Sequence, residues 1–148
     1  MNYKDAKELH ELMFRFMGLF HEKFLIRYRQ HDPELPGLKK NHHKILGMLS
    51  EEEFLMSSEI GRRLDIEKGS ITTLIDQLIE KGLVIRKSDP VDRRKSQISL
   101  SEAGREEMNK LIDRHSRQIQ DYLQGIDSRE EGQFLDCMRC AVRFMKKL

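Results

Sequence analysis

Five basic side chains, Arg86, Lys87, Arg93, Arg94 and Lys95, crowd the stretch 86–95 against two acids, Asp89 and Asp92. Guanidinium and ammonium groups at that density suit charge-assisted contact with phosphate oxygens. An arginine at the tip of a narrow arm also suits the minor groove of a duplex, where negative potential concentrates. Asp92 stands two residues before Arg94, close enough to hold its guanidinium in one orientation through a charge-assisted hydrogen bond. A charged hairpin tip that merely keeps a sheet edge solvated has the same composition.

A second group of polar residues lies just upstream. Between 68 and 81, Ile71, Leu74, Ile75, Leu78 and Ile79 form one helical face, and Lys68, Gly69, Ser70, Thr72, Thr73 and Gln77 fall away from it. Small hydroxyl side chains admit close approach to a duplex, and a glutamine amide can reach a base edge. An ordinary amphipathic helix with a solvated outer face shows the same pattern. Cys137 and Cys140, three apart on a C-terminal helix, share a side; they fit packing, a thiol redox sensor or, less well, a metal site, because zinc needs more ligands than are nearby. His42 and His43 are adjacent and point about 100° apart on a helix, so they do not make a ligand pair. No Ser-His-Asp order, phosphate-cradling glycine loop or metal quartet stands out, which leads us to expect no enzyme activity, cofactor or metal.

The elements that must position these groups follow from periodicity and turn residues. Apolar residues from Leu9 to Phe24 predict a long helix over 3–29, with Phe14, Leu19, Leu25 and Ile26 off the main stripe and free to meet a partner subunit. Pro33, Pro36 and Gly37 break it. A helix over 38–49 follows, then a short one over 57–64 that Ser57 can cap, then the helix from Lys68 that Gly82 ends. Two such helices with a turn of a few residues make helix-turn-helix geometry. Residues 83–87 and 96–100 read as two strands of a hairpin. Helices over 101–124 and 128–148 close the chain, with Asp127 and Glu130 spaced as a capping box at the start of the last. The expected fold is mainly α with a small β-hairpin wing, a winged helix-turn-helix embedded in a helical dimerisation domain.

The 148 residues suit one domain, 1–148, with a dimerisation helix at 3–30, a winged helix-turn-helix region at 38–104 and dimerisation helices at 105–148. A net charge of +2 is too small to mark a nucleic-acid protein, so the local cluster carries that signal. The polar stretch 1–11 is no signal peptide, and no run approaches the roughly 18 apolar residues of a membrane span, so a cytoplasmic protein without membrane contact is expected.

Residues 57–104 resemble the winged helix of the MarR family of bacterial transcriptional regulators, through Ile71-Thr72, Leu78, Lys81-Gly82-Leu83-Val84, Arg86, the Asp92-x-Arg94 motif and Leu100-Ser101-x-x-Gly104. The resemblance implies a homodimer with interleaved termini and both wings facing double-stranded DNA. It implies a recognition helix from Lys68 and a minor-groove arginine at Arg94 steadied by Asp92. Glu67 and Thr73 stand where many members have serine and arginine, so base preference does not carry over. The family's effector crevice would fall near Met13, Met17 and His43, residues whose spacing equally fits core. The function expected is sequence-specific regulation, with Lys68, Ser70, Thr72, Thr73, Gln77, Arg86, Arg93, Arg94 and Lys95 on DNA and a small-molecule or redox signal causing release. The rival reading is a winged-helix protein-interaction module that does not bind DNA.

Overall fold

Ile45, Leu46 and Leu49 on one helix meet Ile71, Ile75 and Leu78 on another, each side chain at most 2% exposed. The spacings i, i+4 and i+7 put such residues on one helical face, and burying that face is what fixes the two helices together. The computed structural model describes residues 1–31, 37–88 and 96–148, the side chains of 29–31 excepted. Contacts group these into two units, Met1–Arg114 and His115–Leu148.

In the first unit the order is α1 (Tyr3–Phe20), a π-helical segment (His21–Leu25), α2 (Ile26–His31), α3 (Lys40–Glu51), β1 (Leu55–Met56), α4 (Ser57–Leu64), α5 (Lys68–Glu80), β2 (Val84–Ser88) and β3 (Ser96–Leu100). Helix α6 (Glu102–Tyr122) begins in it and ends in the second unit, which also holds α7 (Ser128–Met145). The expected single N-terminal helix is thus interrupted by one wide turn at His21–Leu25. The strands form a three-stranded antiparallel sheet in the order β1-β3-β2, where the sequence suggested two strands. Leu55 pairs with Ile98, and Val84 with Leu100, so these four residues from all three strands fall on the core face, while Ile85 is exposed.

β1 runs directly into α4, and this changes how that helix starts. Met56, not Ser57, is the N-cap residue, and Glu59 Oε2 accepts the Met56 N–H at 2.9 Å. The turn to α5 is made by Asp65 in the left-handed region (φ 52°), with the Ile66 N–H donating to the Gly61 carbonyl at 2.9 Å. Gly82 (φ 71°) closes α5, where the Leu83 N–H returns to the Leu78 carbonyl at 3.0 Å. From there the chain is stitched to α6: Ser101 Oγ donates to the Gly82 carbonyl and accepts the Gly104 N–H at 2.9 Å. A Cβ at Gly104 would lie 1.9 Å from the Leu83 carbonyl oxygen, so only glycine allows this approach.

The terminal helices differ from this core. No residue of α1 is buried, and Leu12, Phe14 and Met17 are each more than half exposed. In the second unit, Asp127 caps α7 by accepting the Arg129 N–H at 2.9 Å, and α7 likewise buries no residue. No helix among the described residues is long and apolar enough to cross a membrane.

Candidate nucleic-acid interface

The core packing of Ile71, Ile75 and Leu78 leaves the opposite face of α5 outward, and Lys68, Ser70, Thr72 and Thr73 are all exposed on it. Thr72 Oγ1 donates to the Lys68 carbonyl at 3.0 Å, and Thr73 Oγ1 to the Gly69 carbonyl at 3.2 Å. Each hydroxyl proton is therefore spent on the helix backbone, and each oxygen offers lone pairs outward. Such a surface accepts from amino groups on base edges more readily than it donates.

Arg86 stands on β2 opposite Ile98 of β3, and its Nη2 donates to Asp76 Oδ1 on α5 at 2.7 Å. This exposed ion pair contributes little to stability, but it holds the guanidinium beside the helix face. A cleft of about 480 Å³ opens between α4, α5 and the sheet, lined among others by Ser57, Arg62, Lys68, Thr72, Arg86 and Ser96. The cations Arg62, Lys68 and Arg86 and the hydroxyls of Ser57, Ser58 and Ser96 on one concave surface are suited to phosphate oxygens. Arg62 was not among the residues expected from the sequence. The signal for it was its place on the first helix of the pair, the helix that crosses the backbone in helix-turn-helix docking.

Of the predicted site residues, the structure brings Lys68, Thr72 and Arg86 to that cleft and leaves Ser70 and Thr73 on the adjoining helix face. Ser88 pairs with Ser96 at the end of the ladder. Asp92, Arg93, Arg94 and Lys95 lie between them, outside the described residues, and so does the expected Asp92–Arg94 pairing. Gln77 departs from the expectation of a free outward amide. It is only partly exposed, and its Oε1 lies 2.9 Å from Nε2 of His42, a buried residue of α3. Position 77 falls at the border of the apolar stripe, where α3 is the nearer surface. Burial pushes the His42 pKa below the usual 6.5, the Gln77 hydrogen bond opposing it and the charges of Lys39, His43 and Lys81 adding to it. Cys137 and Cys140 are exposed free thiols on α7, and no group of three or more metal-ligating side chains is found among the described residues.

A helix-turn-helix whose second helix presents a small polar face, backed by a three-stranded sheet carrying a cationic strand, defines a winged helix-turn-helix. The profile of the MarR family matches residues 38–96 of this chain. The HTH-type transcriptional regulator MhqR of Bacillus subtilis (strain 168) is 29% identical over 94 residues, covering 64% of this chain and 65% of that protein. A putative transcriptional regulatory protein for the hcr operon of Thauera aromatica is 26% identical over 104 residues, 70% of this chain and 60% of that one. The matched segments thus span somewhat under two thirds of these two relatives. Among solved structures, a MarR family protein from Bacillus stearothermophilus superposes with a TM-score of 0.74 at 23% identity, covering 99% of both chains. Streptococcus pneumoniae FabT, solved in complex with DNA, gives 0.62 at 16% identity, again over 99% of both. These likenesses establish the winged-helix fold.

Proposed function

We propose that this protein is a sequence-specific DNA-binding transcriptional regulator that binds a pseudo-palindromic operator as a homodimer. The observation that carries the reading is the α5 face itself: Lys68, Ser70, Thr72 and Thr73 stand exposed beside the cleft that Arg62 and Arg86 line. The match of residues 38–96 to the MarR family and the regulator names of the relatives support it. Phosphate contacts from Lys68, Arg86, Arg93, Arg94 and Lys95 supply most of the affinity, and Ser70, Thr72, Thr73 and Gln77 supply the base preference.

The homodimer reading rests on the apolar faces of α1 and α7, which stay exposed among the described residues. Segments 3–30 and 105–148 serve dimerisation in this scheme, and 38–104 serves DNA. Two recognition helices then meet half-sites about one helical turn, roughly 34 Å, apart. The protein represses by occupying its operator. A small-molecule or redox signal releases it by changing the spacing of the two α5 helices.

Selection from random genomic DNA fragments tests the reading. Enrichment of one inverted repeat is expected, and Arg94→Ala should weaken binding to it and flatten its salt dependence by about one counterion. Failure to retain any DNA at low salt would overturn the regulator and favour a protein-docking module.

A further inference from the structure

His42 is the one polar residue fully buried among those described, 1% exposed within the core between α3 and α5. Its ring makes two hydrogen bonds whose directions are fixed by chemistry. The Lys39 N–H lies 2.9 Å from Nδ1, and a backbone amide can only donate, so Nδ1 carries a lone pair. The neutral imidazole then bears its proton on Nε2, which faces Gln77 at 2.9 Å. A donor at Nε2 requires an acceptor opposite, so Gln77 must turn its oxygen to the ring and its amide nitrogen away from it. The sense of a glutamine amide, ordinarily free to flip, is thereby set from the start of α3.

Gln77 follows Ser70 and Thr73 at spacings of seven and four, on the same line along α5. It stands where the outward face meets the core. We propose that His42 is a positioning residue for base recognition, holding Gln77 by its carbonyl oxygen so that the amide offers its two N–H donors to DNA in one fixed sense. This rests on α5 being the recognition helix. Ser70, Thr72 and Thr73 are too short to be steered, whereas a glutamine has three torsions to fix, and an anchored one discriminates between acceptor and donor edges that a flipping one would tolerate.

The Lys39 end of the anchor is tied to the ring being neutral. A second proton must go to Nδ1, where it displaces the Lys39 N–H. Lys39 at the N-cap of α3, His43 on that helix and Lys81 at the end of α5 all oppose that added charge, while the Gln77 oxygen favours it. The Lys39 contact at Nδ1 is therefore kept by the neutral ring and lost on protonation, whereas Nε2 donates to Gln77 in either state.

The test uses the full chain and the operator that it selects from random DNA, with base preferences measured by competition. Gln77→Leu and His42→Leu should each erase a roughly tenfold preference at the same base pair of each half-site, and the double variant should lose no more than either. His42→Gln, which can accept from Lys39 and donate to Gln77, should keep it. Nitrogen NMR of the wild-type imidazole at neutral pH should find the Nε2-protonated tautomer, a result independent of whether any variant folds. The proposal is overturned by the Nδ1 tautomer, by a preference that survives His42→Leu, or by one that Gln77→Leu leaves unchanged. If the wild type selects no operator, the regulator reading itself falls; a selected operator with unaltered preferences removes only the role of His42.

Discussion

Helices α5 and α7 are both amphipathic, yet α5 holds Ile71, Ile75 and Leu78 at 2% exposure or less, while α7 leaves Phe134, Leu135 and Met145 at 50% or more. The two stripes look alike in sequence, and their surroundings account for the difference. Around α5 the same chain supplies α3, α4 and the sheet, so its face is buried as soon as the unit folds. The face of α7 has no such cover among the described residues. An apolar stripe reports that burial is needed; which chain provides it is a separate fact.

That contrast can be broken by substitution. Ile75→Ala should have the largest effect, about 3 kcal/mol lost in urea unfolding and independent of protein concentration, because the side chain is wholly buried within one copy. Leu135→Asp should leave the winged-helix unit folded by circular dichroism and shift the protein to monomer in light scattering. The wild-type midpoint should rise with protein concentration and that of the variant should not. A dimer unaffected by this change would place the subunit contact elsewhere.

Smaller effects sharpen the same distinction. Because the His42 pKa is lowered on folding, the unfolded chain binds the proton first. This contribution to stability is complete above about pH 6.5 and shrinks as pH falls from there toward the lowered value. Thermal melts between pH 7.5 and 5 should record that decline in the wild type and a shallower one in His42→Gln. Smallest for stability is Arg86→Ala, which should change unfolding by less than about 1 kcal/mol, since its pair with Asp76 is exposed. The same variant should reduce the salt slope of DNA binding by about one. A large stability loss there would make Arg86 part of the scaffold instead of the interface.

Much of the winged-helix unit was legible in the sequence, because its residues are buried at the period of the element they occupy. Ile71, Ile75 and Leu78 mark a helix, Ile98 and Leu100 mark a half-buried strand, and Gly82 marks a stop. β1 was not legible, because two residues, Leu55 and Met56, carry no period at all. The start of α4 was misplaced for the same reason: Ser57 looks like a cap until the strand before it is known. At the site, the exposure of Lys68, Ser70, Thr72, Thr73 and Arg86 followed from the helical face and the strand. The partners did not. Asp76 for Arg86 and His42 for Gln77 lie 10 and 35 residues away in sequence, and spacing does not report such pairs. Arg62 escaped notice because it sits on the first helix of the pair and meets the cleft only after folding.

The π-helical segment at His21–Leu25 bears on phase. Phe16, Phe20, Phe24 and Tyr28 stack ring to ring at centroid distances of 6.1, 5.6 and 6.4 Å, each four residues after the last. At 3.6 residues per turn, steps of four drift sideways by about 40° each, so a column of rings would wind around an unbroken helix. One wider turn in the middle takes back part of that drift and keeps the column nearly straight. The N-terminal helices thus have an angular offset built in at a single turn. Winding the same residues as a regular α-helix would restore the drift and rotate everything before that turn by about 100° relative to everything after it, turning the first half of the column away from the second.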